Sequence, residues 1–583
     1  MTEGGSRNHH CVNMTYNDRG SLCTRKFLTS ISRHQWRSIS VKRTENYHRE
    51  EFTHIIVGAG SAGCVLANRL SARPSNNVLL LEAGIEGTSL RNRIPAAFRY
   101  NRSDMTSNWY YHTIPQKYMN NRKVYWPRGK FLGGSSILNS MIYTRGHADD
   151  YDRWEREGAI GWSYSDCLPY FKRSQWHELG EDDYRGGDGP LHVSRGKSKS
   201  AIFDAFIRAG EECGYPFTSD MNGYQQEGFG YVDMTVHKGI RWDAASAYLR
   251  SGDVLKRNNL TIILNSFADR ILFQGTKAVG IEYTQNDTKE VAVVTHDVIL
   301  SGGSINSPQL LMLSGIGNAD KLKLLGIPVV SHLPGVGQNL QDHLQVVLNY
   351  GTGKSNSFSY FLSKIAVGLE WLMFGTGPAS TTNFEAGAFL KSHSLTNHPN
   401  IQLLLEGSAR RESGFNVHVN TLRETSRGYI KLRSSNPKDH PIIDPNYLHT
   451  DTDRRDLRQA IKVARDVVSQ KAFDEFRASV MQEISFAKTD DELDAFIRAN
   501  ATTNYHPSCT CKMGSEDDPM AVVDSETRVF GLENIRVVDA SVMPSNLEGN
   551  LNAPVIMIAE KVADIILGNT PLKRSNVPVW RPS

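Results

Sequence analysis

The sequence has few cysteines, little net charge and no long apolar run. Seven cysteines among 583 residues are too few for a disulfide framework in a chain of this length. The net charge of +4 is small, so bulk electrostatics gives no reason to expect nucleic acid as a partner. No uninterrupted apolar run reaches the roughly 18 residues that a membrane-spanning helix needs. A mass of 65.2 kDa, with 39% hydrophobic and 22% charged residues, predicts a globular protein of two closely associated domains.

Acidic residues are absent from Gly20 to Thr44, a segment that contains arginines, lysines, serines, threonines and scattered apolar residues. This composition is typical of a mitochondrial transit peptide, and it lacks the continuous apolar core of a secretory signal. We therefore predict a presequence or disordered arm at residues 1–50. A basic arm that is merely disordered is the alternative.

Cys509 and Cys511 lie close to His506 in the segment YHPSCTCKMG. Thiols and imidazoles are zinc ligands, but further ligands at zinc-like spacing are missing, so we predict no metal site. We interpret both cysteines as reduced thiols packed near an active site, which indicates a reducing compartment.

The segment HIIVGAGSAG, from His54 to Gly63, predicts a dinucleotide site. Its β-branched run is typical of a strand buried on both faces, and Gly58, Gly60 and Gly63 follow in G-x-G-x-x-G spacing. Glycines at this spacing allow a tight turn, close approach to a pyrophosphate, and close packing of a helix on the strand. Ser61 is expected at the cofactor site, and Cys64 to Leu70 continue with helix-compatible residues. The N-terminus of this predicted helix then offers free N–H groups to the phosphates.

A second predicted strand, Val78 to Leu81, ends in Glu82. A carboxylate about 20 residues beyond such glycines is placed to accept hydrogen bonds from ribose hydroxyls. A glycine-rich turn in an unrelated α/β protein is the alternative. Because NAD and FAD share this motif, the rest of the chain must distinguish them.

Further motifs follow in a fixed order along the chain. They are GKFLGGSSILN from Gly129 to Asn139, GSINSPQLLMLSGIG from Gly303 to Gly317, GVGQNLQDH from Gly335 to His343, and RVVDASVMP from Arg536 to Pro544. Together with the first motif they resemble the signature patterns of the glucose–methanol–choline oxidoreductase family. The resemblance runs from about Phe52 to Gly568, which is nearly the whole chain outside the N-terminal arm.

The resemblance implies FAD as the cofactor and an α/β fold. The expected fold is a Rossmann-like FAD-binding domain built from discontinuous segments, with an α+β substrate-binding cap that contains an antiparallel sheet. We expect the FAD-binding domain at residues 51–153, 220–343 and 501–568, the substrate-binding domain at 154–219 and 344–500, and a C-terminal tail at 569–583.

The resemblance also implies further residues of the cofactor site, namely Gly133, Gly134, Asn139, Met141, Ala268, Asp539 and Ala540. In some choline oxidases of the family, a histidine just before the asparagine of the GGSSILN-like motif is attached covalently to FAD. Leu138 stands at that position in this chain, and its side chain cannot form such a bond. We therefore expect non-covalent FAD.

The expected catalysis depends on His506. Oxidation of an alcohol requires a base for the hydroxyl proton, and imidazole suits this role because its ordinary pKa is about 6.5. By resemblance, His506 matches the family's catalytic histidine, and Asn552 matches its histidine or asparagine partner. The alternatives are a structural histidine in a Pro-Ser turn and a helix N-cap just ahead of Pro554.

Several stretches, including Asp220 to Trp242, are similar to choline-oxidising members of the family from animal mitochondria. They imply oxidation of choline to betaine aldehyde, the first step to glycine betaine. A quaternary ammonium has no N–H to donate, so aromatic faces and a diffuse negative field must bind it. We expect Tyr505 and Trp109 to supply aromatic faces and Glu385 to supply negative charge. The alternatives are a dehydrogenase of a neutral alcohol or sugar, and a flavin-binding protein without catalysis.

The stretch YFLSKIAVGLEWLMF, from Tyr360 to Phe374, is apolar apart from Ser363, Lys364 and Glu370. It predicts either a buried cap helix or a helix that docks on a membrane surface or guides a quinone. The family resemblance implies electron delivery to a quinone or another membrane acceptor. We expect a mitochondrial location, peripheral to the inner membrane on its matrix side.

Overall fold

The computed structural model describes residues 51–102, 106–198, 200–350, 357–394, 396–407, 414–476 and 487–581. The predicted presequence, residues 1–50, lies outside these ranges. Among the described residues, no helix combines the length and the apolar character that crossing a bilayer requires.

Strands are numbered here in chain order. They are β1 Glu51–Val57, β2 Val78–Leu81, β3 Tyr111–His112, β4 Tyr125–Trp126, β5 Ile142–Tyr143, β6 Gln175–His177, β7 Leu191–Arg195, β8 Gly228–Tyr231, β9 Asp233–Met234, β10 Val236–His237, β11 Ile240–Arg241, β12 Leu260–Ile263, β13 Ser266–Gln274, β14 Lys277–Gln285, β15 Thr288–Leu300, β16 Ile316–Gly317, β17 Ser331–His332, β18 Leu344–Tyr350, β19 Ala386–Leu390, β20 Ile401–Gly407, β21 Phe415–Thr421, β22 Tyr429–Lys431, β23 Ile442–Asp444, β24 Thr502–Thr503 and β25 Ile535–Val537.

Helices are numbered in the same way. They are α1 Ser61–Ser71, α2 Leu90–Arg93, α3 Phe98–Asn101, α4 Ala148–Arg156, α5 Tyr164–Ser174, α6 Ala201–Glu212, α7 Ala244–Tyr248, α8 Gly303–Leu313, α9 Ala319–Leu324, α10 Ser357–Phe374, α11 Asp451–Ser469, α12 Asp490–Asn500 and α13 Asn552–Leu567. Short 3-10 helices cover Pro95–Ala97, Gly134–Ile137, Val254–Lys256, Pro378–Ser380, Lys471–Phe473 and Ala540–Val542.

A seven-stranded sheet carries the first glycine motif. Its strand order is β12-β2-β1-β15-β14-β13, and β25 also pairs with β15. Strands β12, β2, β1, β15 and β25 pair in parallel, whereas β13 and β14 form an antiparallel extension on β15. The predicted strand from Val78 to Leu81 is confirmed as β2. Ile55 and Ile56 of β1 are fully buried, as expected of a strand covered on both faces.

The carboxyl ends of four parallel strands meet at one edge of this sheet. Gly58 follows β1, Glu82 follows β2, Ser301 follows β15, and Asp539 comes two residues after β25. In open α/β sheets, ligands bind outside the carboxyl ends of the strands. The sheet therefore brings segments from the start, middle and end of the chain to one site.

A second, six-stranded sheet is antiparallel throughout, in the order β24-β18-β21-β20-β19-β8. Helices α11 and α6 pack against it. The expected cap with an antiparallel sheet is therefore present. Strands β8 and β24 join this sheet, although both come from segments that we expected in the FAD-binding domain. The domain boundaries stay a prediction.

Helix α10 is only partly buried. Trp371 faces inwards, and its Nε1 donates a hydrogen bond to the carbonyl oxygen of Gly239 at 2.6 Å. Ile365, Leu369 and Met373, spaced four residues apart along one face, are 46%, 50% and 58% exposed. The expectation of a buried cap helix therefore does not describe this part of α10, which presents an apolar face to solvent.

Candidate active site

A large cavity opens at the carboxyl ends of β1, β2, β15 and β25. The predicted site residues that line it are Gly58, Gly60, Ser61, Glu82, Trp109, Gly134, Asn139, Met141, Ala268, Tyr505, His506, Asp539, Ala540 and Asn552. Gly63, Gly133 and Glu385 are not among the described residues that line it. The two motifs at opposite ends of the chain therefore face one cavity.

The three glycines of the first motif have the separate roles that their spacing predicts. Gly58 has a φ of +99°, and a Cβ added there would lie 2.5 Å from the carbonyl oxygen of Ser301. A Cβ on Gly63 would lie 1.9 Å from the carbonyl oxygen of Gly58, which shows that this glycine lets α1 pack on β1. A Cβ on Gly60 would meet no atom within 4 Å. Gly60 therefore leaves open space in the cavity for a ligand to approach the backbone.

The second glycine-rich segment packs directly on the first. The N–H of Gly133 donates to the carbonyl oxygen of Ala59 at 2.7 Å. A Cβ on Gly134 would lie 2.6 Å from the Cα of Gly60. Gly133 and Gly134 therefore bring two backbones into contact, and only Gly134 also faces the cavity.

Glu82 is buried at the end of β2 and lines the cavity. Its carboxylate accepts hydrogen bonds from the N–H groups of Ala59 and Gly84, both at 2.8 Å. Burial raises the pKa of Glu82 to about 7, although these two hydrogen bonds oppose the shift. Each carboxylate oxygen keeps a lone pair for a ribose hydroxyl, so Glu82 fits the expected role.

Helices α1 and α13 both begin at the cavity, with Ser61 and Asn552 as their first residues. The Ser61 hydroxyl donates to Oδ1 of Asn552 at 2.6 Å. Free N–H groups and the positive ends of both helix dipoles therefore point to one place, which suits a pyrophosphate. Together with the glycine cradle and Glu82, this arrangement fits an FAD molecule.

The expectation that Asn552 is the partner of His506 is wrong. Nδ2 of Asn550 lies 3.1 Å from Nε2 of His506, whereas Asn552 contacts Ser61. The hydroxyl of Thr144 donates to Oδ1 of Asn550 at 3.3 Å and accepts its N–H at 2.6 Å. Because Thr144 engages Oδ1, the amide of Asn550 presents an N–H to His506, and Nε2 must be an acceptor.

His343 lies on the other side of the His506 ring. The two Nδ1 atoms are 2.9 Å apart. Because Nε2 of His506 is an acceptor, the proton of its neutral ring lies on Nδ1 and is donated to His343. Burial, followed by the charges of His343, Arg128 and Arg102, lowers the pKa of His506 well below its usual value. His506 is therefore neutral at neutral pH, and its Nε2 lone pair accepts the Asn550 N–H at the edge of the cavity.

The backbone around His506 is held firmly. The N–H of His506 donates to Oδ1 of Asp342 at 2.7 Å, and the N–H of Tyr505 donates to Oγ1 of Thr503 at 2.7 Å. Tyr505 has a φ of +68°, an unusual conformation for a residue with a side chain. Burial raises the pKa of Asp342 to about 6. His343 and Asp342 belong to the QDH motif, whose proximity to His506 the sequence alone did not reveal.

Two arginines approach the same end of the cavity. Nη2 of Arg128 donates to the carbonyl oxygen of Tyr505 at 2.7 Å. The guanidinium of Arg102 lies over the Tyr505 ring, 4.4 Å from its centroid. Both arginines line the cavity, and sequence reasoning missed both, since no motif connects them to His506.

Asn139, Met141 and Asp539 are further predicted residues of the cofactor site, and all three line the cavity. Oδ2 of Asp539 accepts hydrogen bonds from the N–H of Gly303 at 2.8 Å and from the Ser307 hydroxyl at 2.6 Å. Met141 has a φ of +61°, and its N–H donates to Oδ1 of Asn139 at 3.2 Å. Positive φ at a non-glycine residue is strained and is typical of functional sites.

Trp109 and Glu385 do not lie beside His506. Trp109 stacks on Tyr111 at 5.9 Å and contacts Phe267 at 6.0 Å, next to Ala268 and on the Glu82 side of the cavity. Glu385 is 1% exposed and accepts a hydrogen bond from Thr381. Burial raises the pKa of Glu385 to about 7. Trp109 lines the cavity together with Tyr505, whereas Glu385 is not among its lining residues, and the substrate roles of both stay predictions.

Comparisons with known proteins agree with this geometry. Two family models, both described as GMC oxidoreductase, match residues 52–345 and 424–559. The chain is 53% identical to the mitochondrial choline dehydrogenase of Mus musculus over 92% of each chain. It is 52% identical to that of Homo sapiens, over 92% of this chain and 93% of the relative. It is 47% identical to the oxygen-dependent choline dehydrogenase of Stenotrophomonas maltophilia, over 91% and 97% of the two chains.

Solved structures show the same fold. A pyridoxine 4-oxidase from Mesorbium loti superposes with a TM-score of 0.81 at 31% identity, covering 89% of this chain and all of that one. An FAD-dependent oxidoreductase from Chaetomium thermophilum gives a TM-score of 0.80 at 26% identity, covering 89% and 99%. The expected fold class and the expectation of an FAD-dependent oxidoreductase are confirmed. The chain belongs to the GMC oxidoreductase family.

Proposed function

We propose that this enzyme oxidises choline to betaine aldehyde. The observation that carries the proposal is the position of His506, a buried imidazole with a lowered pKa, in the lining of the cavity that also holds the glycine cradle. Relatives that share about half of the sequence over nine-tenths of its length are choline dehydrogenases, which supports choline as the substrate.

The cofactor would be held by backbone more than by side chains. Gly58, Gly60 and the first turns of α1 and α13 would hold the pyrophosphate, and Glu82 would hold the ribose. Trp109, beside Phe267 and Ala268, belongs with this end of the site. When bound, FAD accepts the hydride that the alcohol carbon releases on oxidation.

His506 would act as the general base. Its Nε2 takes the hydroxyl proton of the substrate. The resulting imidazolium can share its charge with His343 through the 2.9 Å contact between their Nδ1 atoms. The amide of Asn550 can turn its N–H from Nε2 to the substrate oxygen as that nitrogen becomes protonated. An amide does this without adding a positive charge, which matters when the substrate is already a cation.

The ammonium group needs an aromatic face and a negative field. Tyr505 lines the cavity next to His506 and supplies the face. Neither Glu385 nor Glu406 lines the cavity, but the charge of Glu406 acts on Arg102, which does line it, so we take Glu406 as the source of the field. Burial raises the pKa of Glu406, but the hydrogen bond from His418 and the charge of Arg99 outweigh it and lower that pKa to about 2.

Non-covalent FAD remains part of the proposal. Leu138 lines the cavity with an apolar side chain, which offers no atom for a covalent link. Denaturation of the purified enzyme in acid should release all of the flavin into the supernatant. Flavin that stays with the precipitated protein would contradict the assignment.

Electron delivery to a quinone would bring the enzyme to the mitochondrial inner membrane, and the apolar face of α10 supports contact with a membrane surface. Ile365, Leu369 and Met373 could enter the headgroup region of the matrix leaflet. Exchange of Leu369 for Glu should reduce sedimentation of the holoenzyme with anionic lipid vesicles. Leu324→Glu is the matched control, because Leu324 is 86% exposed on another helix. Equal sedimentation of both variants and the wild type would rule out docking through α10.

Substrate identity is tested by anaerobic mixing of the holoenzyme with choline or with 3,3-dimethylbutan-1-ol, its neutral isostere. Bleaching of the flavin by choline alone supports the proposal. Equal bleaching by both alcohols would favour the alternative, a dehydrogenase of a neutral alcohol or sugar. An unchanged spectrum with both would exclude choline as the substrate.

A further inference from the structure

A cation already lies on the aromatic face next to His506. The guanidinium carbon of Arg102 is 4.4 Å from the centroid of the Tyr505 ring and 5.2 Å from that of Phe98. Distances below about 6 Å are those of attractive cation–π contacts. Arg102 and Tyr505 both line the cavity, so this contact is part of the substrate end of the site.

The Tyr505 ring is the fixed partner in this contact. Its main chain is held by Thr503 at the N–H and by Arg128 at the carbonyl oxygen, each at 2.7 Å. The next residue is His506, whose N–H is bound by Asp342. A cation on this ring face is therefore held at a set position beside the proposed base.

We propose that Arg102 occupies the ammonium subsite of the substrate and competes with the substrate for it. The inference rests on the proposed function, since it concerns how the same site takes a cationic alcohol. A guanidinium and a trimethylammonium cannot share one ring face, and their like charges repel at this range. A cationic substrate must displace Arg102 from the ring against charge repulsion, whereas a neutral alcohol of the same shape displaces it without that repulsion. Arg102 thus lowers the affinity for cations and reduces the discrimination against neutral isosteres.

When the guanidinium of Arg102 leaves the Tyr505 ring, it can move towards the carboxylate of Glu406. Glu406 is ionised, and its charge raises the pKa of Arg102, against a larger lowering by burial. Glu406 already binds Arg99 and accepts a hydrogen bond from Nδ2 of Asn416 at 2.9 Å. The local charges therefore allow two positions for Arg102, one over Tyr505 and one nearer Glu406.

The test measures binding of tetramethylammonium to the holoenzyme by calorimetry, and of choline from the concentration dependence of anaerobic flavin bleaching. Exchange of Arg102 for Gln should lower both dissociation constants about 3- to 30-fold, because the ring face no longer carries a cation. The half-saturating concentration of 3,3-dimethylbutan-1-ol should fall by a smaller factor, since that alcohol displaces Arg102 without charge repulsion. Arg102→Lys keeps a competing cation and should show little gain.

Arg208→Gln is the matched control, because it removes one positive charge from an exposed position of α6, outside the residues that line the cavity. It should leave all three constants nearly unchanged. A second control combines Arg102→Gln with Tyr505→Leu. Without the Tyr505 ring there is no aromatic face for Arg102 to vacate. The double variant should therefore bind cations no more tightly than Tyr505→Leu alone.

Weaker binding of tetramethylammonium and choline in Arg102→Gln would overturn the inference, and so would an equal gain for cationic and neutral ligands. A gain in Arg102→Lys as large as in Arg102→Gln would also overturn it, because shape and not charge would then be responsible. If choline does not bleach the wild-type flavin at all, the proposed function fails. If choline bleaches the wild type but Arg102→Gln gains nothing, only the competition is disproved.

Discussion

The two ends of the cavity are built in different ways. At the Glu82 end, glycines and helix N-termini expose main-chain N–H groups, and few side chains are needed. At the His506 end, the site consists of side chains from Thr144, His343 and Asn550, which lie on separate segments. A backbone site is tolerant of sequence except where a Cβ would collide. A site made of side chains depends on every one of them. Substitutions at the His506 end should therefore change catalysis, and substitutions at the Glu82 end should change FAD binding.

The largest effect is expected for His506→Ala. Loss of the general base should slow anaerobic bleaching of the flavin by choline about 100- to 10,000-fold. The FAD content of the purified protein should stay at the wild-type level, because His506 lies at the other end of the cavity from the glycines. Stopped-flow absorbance and the flavin-to-protein ratio measure the two quantities. Loss of FAD together with activity would mean that the ends are not separable.

Asn550→Ala and Asn552→Ala should have opposite consequences. Removal of Asn550 takes away a hydrogen bond at the reacting oxygen, which should slow bleaching roughly 10- to 100-fold. Removal of Asn552 should leave the bleaching rate of the loaded enzyme within about 3-fold, since a neutral hydrogen bond to Ser61 contributes only about 1 kcal/mol. It should instead weaken retention of FAD on dilution. The reverse pattern would restore Asn552 as the partner of His506.

Gly60→Ala should impair FAD binding without unfolding the protein. The added methyl meets no protein atom within 4 Å, so it projects into the space where the cofactor approaches. The dissociation constant of FAD should rise about 5- to 100-fold, as expected for overpacking of 1–3 kcal/mol. Fluorescence titration of the apoprotein measures this constant. Gly368→Ala, which also meets nothing within 4 Å, should leave FAD binding unchanged.

The smallest effect concerns pH. The base works only when neutral, so the bleaching rate at saturating choline falls as pH drops through the pKa of His506. Because that pKa lies well below 6.5, the rate should stay constant from pH 8 to below pH 6.5. Arg102→Gln removes a charge that lowers the pKa, so its rate should begin to fall at a higher pH. A wild-type rate that already falls above pH 7 would contradict the buried, neutral imidazole.

The backbone end could be predicted well from the sequence. One short segment of the chain contains Gly58, Gly60, Gly63 and Glu82, and the geometry of that segment alone explains their spacing. The structure shows the close approaches at Gly58 and Gly63 that this spacing indicates, whereas the ligand roles of Gly60 and Glu82 stay predictions.

The side-chain end could be predicted only in part. His506 was found through its motif, but GNLN holds two asparagines, and their roles depend on where α13 begins. They also depend on Thr144 and Ser61, which are distant in sequence. The contact between Arg102 and Tyr505 is formed by tertiary packing, and no pattern in the sequence encodes it.

Strand β25 and helix α13 have a consequence for the order in which the protein matures. The sheet that carries the first glycines stays incomplete until Ile535–Val537 pairs with β15, and the cavity lacks a wall until Asn552–Leu567 folds. The complete cavity therefore forms only after nearly the whole chain has been synthesised. A chain cut short before α13 would lack residues of the cavity lining and should not retain flavin.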